Sequence, residues 1–263
     1  VEPIADLSVE LARSIAGVCF DIDDTVTTHG VLDVEAYAAL AALKNAGLTL
    51  IAVTGRPLGW AELVARMWPV DAAVGENGAG YIARRGDKLT FGYWDDEPTR
   101  NAQTTKLAQI RERVAHEMPQ VRVSNDSWAR RCDLAFDVNE YELLPRPEVE
   151  KLCDILRDEG AHVTVSSVHA HGQLGDHDKA RGVARAAQEL MGIDAATAKE
   201  CFMFVGDSGN DAAAFAWFDV TAGVANVCRF LHRLPVPPRF VSTASYGQGF
   251  AEIAHTLLSR RQA

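Results

Sequence analysis

Apolar residues in this chain fall into short runs that stop at polar clusters, and segments with a helical period lie between them. The first run, Gly17-Val-Cys-Phe-Asp-Ile, reads as a strand ending at a group of carboxylates. A helix follows, with Asp33 as its N-cap, Val34, Tyr37, Leu40 and Ala41 on one face, and Gly47 as the stop after its last turn. Residues 48–53 form a second apolar strand that ends at Thr54-Gly55-Arg56. Pro57 then suits the first position of a helix that reaches Trp68 and halts before Pro69. Residues 72–74 make a third strand. Alternation of strand and helix with short connections predicts an α/β fold, a parallel sheet wrapped by helices.

The pattern changes after residue 80. Gly80-Tyr-Ile-Ala and Lys88-Leu-Thr-Phe-Gly-Tyr flank Arg84-Arg-Gly-Asp, which predicts a hairpin. A long helix is expected over 99–117, strands over 121–124, 132–138, 161–167 and 168–172, and a helix from about 146 to 159. This block reads as α+β. The alternating pattern then returns, with a helix over 179–191, a strand over 201–205 ending at Gly206-Asp207, a short helix over 211–217, a strand over 219–222 and a closing helix over 249–259. The expected organisation is one α/β domain, residues 1–92 and 173–263, interrupted by an α+β domain at 93–172.

Composition narrows the classes of partner. The 263 residues carry 26 Lys and Arg against 36 Asp and Glu, a formal charge of −10, which argues against a nucleic-acid partner. No apolar run approaches the roughly 20 residues that span a bilayer, so no membrane partner is expected. The first 17 residues hold Glu2, Asp6 and Glu10 and lack the basic and apolar regions of a signal peptide. The five cysteines are scattered without a CxxC pair, which points away from a disulfide framework or zinc site and towards a reduced, cytoplasmic setting. The scattered tryptophans Trp60, Trp68, Trp94, Trp128 and Trp217 read as packing residues rather than a platform for bases.

Ligands of a parallel sheet sit beyond the carboxyl ends of its strands. Three polar clusters fall at such ends: Asp21-Ile-Asp-Asp-Thr25, Thr54-Gly-Arg56 and Gly206-Asp-Ser-Gly-Asn-Asp211. Each has a plain structural reading, as a turn or a helix cap. If the strands are neighbours, however, Asp21, Asp23, Asp207 and Asp211 crowd into one cleft. Their mutual repulsion calls for a hard divalent cation, most simply Mg²⁺.

Taken together, these motifs resemble those of the haloacid dehalogenase (HAD) superfamily of phosphatases. Phe20-Asp-Ile-Asp-Asp-Thr-Val26 is similar to its first motif, with Asp24 at the usual Gly. Thr54 corresponds to the second motif, Asp178-Lys179 to the third and Gly206-Asp-Ser-Gly-Asn-Asp211 to the fourth. An α+β insertion between the second and third motifs, with Glu76-Asn-Gly-Ala79 before it, resembles the C2-capped, type IIB branch. That branch includes Cof-like sugar phosphatases, sucrose-phosphate phosphatases and phosphomannomutases. The implied fold is a Rossmann-like core with a parallel sheet and an inserted cap.

The resemblance implies a residue-by-residue chemistry. Asp21 would be the nucleophile, forming an aspartyl-phosphate, and Asp23 the general acid and then base. Asp21 and Asp207 would supply carboxylates to Mg²⁺, with Asp23 contributing its backbone carbonyl. Asn210 and Asp211 would place metal-bound waters or Lys179. Thr54, with the backbone at Gly55, would bind phosphoryl oxygens, and Lys179 would neutralise charge. A lysine in the first turn of a helix meets an unfavourable dipole, which favours a functional role for it. Arg56 and Asn77 are further substrate contacts, although Arg56 also reads as a surface residue and Asn77 as a left-handed turn.

If Ser167, His169 and His171 share one strand face, they could bind sugar hydroxyls, be merely solvated, or form a metal site with His177. The expected reaction is hydrolysis of a small phosphate ester, most simply a sugar or glycoside phosphate. A mutase, a phosphoglycolate-type phosphatase and an idle binding module are the alternatives, and a homodimer is left open.

Overall fold

A computed structural model describes residues 1–263. Its main feature is a nine-stranded sheet. The Gly17–Asp21 strand lies at the centre, with Phe202–Gly206 on one side and Thr49–Val53 on the other, all parallel. Val220–Gly223, Phe240–Val241 and the N-terminal pair Glu2–Pro3 extend the sheet in one direction, and Ala72–Gly75 extends it in the other. The predicted hairpin forms from Gly80–Arg85 and Lys88–Tyr93 and adds two antiparallel strands beyond Ala72–Gly75. Every residue of the two central strands is buried, as expected of a parallel sheet covered on both faces. One apolar cluster, including Phe20, Leu50 and Phe250, fills one side, and another, including Ile51, Phe202 and Phe204, fills the opposite side.

Register brings the polar strand ends together. Phe20 pairs with Val205 and Asp21 with Val53. Asp207 and Thr54 therefore emerge beside Asp21 at one edge of the sheet.

A second, three-stranded antiparallel sheet is built from His162–Val165, His169–Gln173 and Asp133–Asp137, with His169–Gln173 in the middle. Two helices, Glu97–Glu117 and Arg146–Asp158, pack on it through Leu107, Ile110, Leu152 and Leu156. Strand alternation sends Ala170 towards these helices; the opposite face carries His169, His171 and Gln173.

Several expectations need correction. Residues 121–124 form no strand; Val123 makes a single bridge to Phe136. Ser167 lies before the strand that starts at His169, so it does not share a strand face with the histidines. Asp33 stands at the N-cap position of Val34–Asn45 but does not cap it with its side chain; its carboxylate accepts from the Thr28 hydroxyl instead. Pro57 precedes the Leu58–Met67 helix as its N-cap. Trp60 and Trp128 are exposed rather than packed.

Candidate active site

Asp21 ends its strand 3% exposed. Its Oδ1 accepts from the backbone N–H of Ile22 at 2.8 Å and from Lys179 Nζ at 2.9 Å, while Oδ2 takes no bond. Lys179 opens the Lys179–Ala186 helix, capped by Asp178, and is buried completely enough that its charge must be matched. A second carboxylate, Asp211, does so at 2.7 Å. Burial opposes charge on this lysine, but the two carboxylates prevail and hold it firmly protonated.

The turn after Phe202–Gly206 carries the next group. Asp211 Oδ2 accepts from the backbone N–H groups of Asp207 and Ser208 at 2.9 and 3.1 Å, which folds the turn back on itself. Gly206 is required there: a Cβ would stand 2.5 Å from Asp211 Oδ2. Asp207 Oδ2 accepts from Asn226 Nδ2 at 3.0 Å, and the same amide also donates to the Asp24 carbonyl.

One carboxylate oxygen from each of Asp21, Asp207 and Asp211 lies within 4.8 Å of the others. These three carboxylates face one ammonium, so two negative charges stay uncompensated when all are ionised. Burial, reinforced by Asp211 and Asp23, pushes Asp21 up to about 8 even against Lys179, and burial with Asp211 and Asp21 pushes Asp207 well up. All-oxygen donors with a deficit of this size fit one hard divalent cation. Both oxygens of Asp211 are committed to protein donors at 2.7–3.1 Å, whereas Asp21 Oδ2 takes no bond and Asp207 Oδ1 meets only the Thr25 hydroxyl at 3.5 Å, so Asp21 and Asp207 are the better ligands and Asp211 holds Lys179 and the turn. The three-histidine set does not assemble. His169 Nε2 donates to Glu140 at 2.8 Å, His171 Nδ1 donates to Asp133 at 3.1 Å, and both nitrogens of His177 are buried without a partner.

Thr54 is fully buried, and its Oγ1 accepts from the Arg56 N–H at 2.9 Å, which leaves the hydroxyl hydrogen free. Glu76, Asn77 and Gly78 run through three successive positive φ angles. That left-handed turn brings Asn77 Oδ1 within 3.4 Å of Asn210 Nδ2, while Asn77 Nδ2 is buried and unpaired. Both readings of Asn77 thus meet in one residue. A Cβ on Gly55 would stand 3.2 Å from Asn77 Oδ1 and from His171 Nε2, so the Thr54–Arg56 turn runs tightly beneath the second sheet.

Arg56 is 5% exposed and is no surface residue. Its guanidinium grips Asp23 through Nε and Nη2 at 2.9 to 3.1 Å. It also reaches Asp126 at 3.3 Å and Glu140 at 2.8 Å across the seam between the two sheets. Glu140 is partly buried, which disfavours its charge, yet hydrogen bonds from His169 and Arg56 hold it at about 2.

Three of these residues, Arg130, Asn226 and Glu140, carry no sequence signal, and Glu76 carries one only as part of the Glu76-Asn-Gly-Ala79 segment. Glu76 accepts from the backbone N–H groups of Leu58, Arg131, Cys132 and Asp133 and so ties the Ala72–Gly75 strand end to the second sheet. Arg130 joins Asp126 and Asp133 and donates to the Gly55 carbonyl. Asn226 and Glu140 complete the set.

Residues 18–126 match the sequence profile of haloacid dehalogenase-like hydrolases. Over that span the chain is similar to those hydrolases. Solved structures agree on the fold over nearly the whole chain. Thermoplasma acidophilum 0175 superposes with a TM-score of 0.72 at 18% identity, covering 93% of this chain and 98% of its own. The sucrose-phosphatase of Synechocystis sp. PCC6803, solved with sucrose and phosphate, gives 0.66 at 17% identity, with 93% and 98% covered. BT1666 of Bacteroides thetaiotaomicron, a phosphatase of the HAD superfamily, gives 0.62 at 16% identity, with 94% and 95% covered. Among curated proteins, none matches this sequence. No helix of this chain is long and apolar enough to cross a membrane.

Proposed function

We propose that this chain is a haloacid dehalogenase-superfamily hydrolase, a Mg²⁺-dependent phosphomonoesterase that acts on a small phosphorylated metabolite, a sugar or glycoside phosphate, through an aspartyl-phosphate on Asp21. The observation that carries the reading is the buried Asp21–Lys179–Asp211 array beside Asp207 at the sheet edge. A free carboxylate oxygen on Asp21 is aligned by Ile22 and Lys179, as a nucleophile must be. The sugar-phosphatase neighbours support the substrate class.

In this reading Asp21 Oδ2 attacks phosphorus as the bond to the leaving oxygen breaks. Asp23 gives that oxygen a proton. A water then attacks the phosphoryl group, Asp23 takes its proton, and the Asp21 carboxylate is released. To reach the leaving oxygen, Asp23 must first give up its two-pronged contact with Arg56. The free hydroxyl hydrogen of Thr54, Lys179 and the unpaired amide of Asn77 are the donors for the phosphoryl oxygens. Asp21 and Asp207 would hold Mg²⁺, which when bound supplies charge neutralisation for the transferring group. Residues 93–172 act as the cap that selects the leaving group, a cytoplasmic location goes with a soluble metabolite, and Asp211 and Asn210 position the metal shell and Lys179.

Phosphate release from an aryl phosphate, with Mg²⁺ and with chelator, tests the reading alongside Asp21→Asn. Activity that requires Mg²⁺ and vanishes in the variant is expected. No turnover across hexose, disaccharide and three-carbon phosphates would overturn it, and isomerisation that needs a bisphosphate would mark a mutase.

A further inference from the structure

A cavity of about 280 Å³ adjoins Asp23 at the seam between the two sheets. Asp23, Asp24, Arg56, Asn139 and Glu140 are among its walls, together with His29 and Ser167, and Val168 is its single apolar residue. A second, much narrower space shares Asp23, Arg56, Ser167 and Val168 with it and is lined by Asp21 and Asn210 on its other side. An ester whose phosphorus is beside Asp21 would therefore extend its leaving group past Asp23 into the larger space.

The charge of that space is unusual for a phosphate-ester site. Three carboxylates, Asp23, Asp24 and Glu140, face it with one guanidinium. Arg56 is already shared among Asp23, Asp126 and Glu140, so it has little attraction left for a further anion. The nearest imidazole of the second sheet, His169, is likewise committed to Glu140. Hydroxyl groups, by contrast, find carboxylate acceptors, the Asn139 amide and the Ser167 hydroxyl around them.

We propose that Glu140 sets leaving-group selectivity, admitting neutral polyhydroxylated alcohols and rejecting leaving groups that carry a carboxylate or a second phosphate. This deepens the phosphomonoesterase reading and rests on it. A carboxylate on the leaving group would sit among like charges. Coulomb's law with an effective dielectric constant of about 20 puts the penalty for one such pair, roughly 6 Å apart, near 100-fold, and solvent in the open cavity reduces it to about tenfold.

The test compares two esters of similar size and different charge, glucose 6-phosphate and 6-phosphogluconate. Their kcat/KM values are measured on the full chain with Mg²⁺, for the wild type, Glu140→Gln and Asn139→Lys. The Asn139 variant adds a cation at an exposed position of the same wall without touching the Arg56–Glu140–His169 contacts, so it remains informative if Glu140→Gln folds poorly. The wild type should prefer the neutral ester by about tenfold or more. Both variants should narrow that ratio by about tenfold, mainly through KM for the acid. Equal use of the two esters by the wild type, or a ratio that stays fixed in both variants, overturns the proposal while phosphatase activity stands. Absence of turnover on both esters and on an aryl phosphate overturns the phosphomonoesterase reading, and this proposal falls with it.

Discussion

Lys179→Met removes the one positive charge in contact with Asp21 and Asp211. The ammonium lies 2.9 Å from Asp21 and 2.7 Å from Asp211, and its side chain is fully inaccessible to solvent. Methionine fills nearly the same volume, so the change is electrostatic rather than steric. Deleting one partner of a buried ion pair costs about 3–5 kcal/mol, because the remaining charge is left without solvent or partner. Here two carboxylates lose their partner at once, so a loss at the upper end of that range is expected in metal-free buffer. Urea unfolding followed by fluorescence measures it, with and without Mg²⁺. Added Mg²⁺ should recover part of the loss, since a divalent cation returns charge to the same carboxylates. Turnover should stay down by about 10²–10³ even then, because no other donor takes the place of this one beside the phosphoryl group. A metal-free loss below about 1 kcal/mol would refute the reasoning, since it would mean that Asp21 and Asp211 do not depend on this charge.

Other expectations follow from the same geometry. Burial holds His171 neutral with its pKa lowered to about 4, so the unfolded chain takes up a proton first as the pH falls from 6.5 towards 4. Stability should decline over that window by up to about 3 kcal/mol, and His171→Gln should flatten this part of the urea-midpoint profile; an unchanged slope would contradict the assignment. Arg56→Lys replaces a two-pronged grip on Asp23 with a point charge. It should lower stability by about 1–3 kcal/mol and kcat/KM by at least about tenfold, checked by urea unfolding and steady-state kinetics. Mg²⁺ should raise the thermal midpoint of the wild type, chelator should reverse the shift, and Asp207→Asn should abolish it; calorimetry that gives the same shift in Asp207→Asn would remove Asp207 from the metal site.

The parts of this fold that could be read in sequence are those with a local physical cause. The apolar run before Asp21 predicts a buried strand, and Gly47 ends a helix because a left-handed residue follows it, with φ of +82°. The hairpin at Arg84-Arg-Gly-Asp shows the same local logic, with Gly86 at φ +61°. Parts that depend on distant pairing were not legible. Glu2–Pro3 joins the sheet only because Phe240–Val241 offers it an edge, and two residues carry no period. The alternation of His169 and His171 correctly gives them one face, but their hydrogen-bond partners Glu140 and Asp133 come from other segments. Arg56 reads as a surface residue because its three carboxylate partners lie at positions 23, 126 and 140. The role of Glu76 is hidden for the same reason, since three of its four N–H donors are residues 131–133, more than fifty positions away.

The most direct test of the account is to find where phosphorus goes. Enzyme mixed with a phosphate ester and Mg²⁺, then quenched in acid within a single turnover, can be digested and mapped by mass spectrometry. One added phosphoryl group is expected on the peptide containing Asp21 and none in Asp21→Asn. Phosphate on another residue, or undiminished turnover by Asp21→Asn, would contradict it.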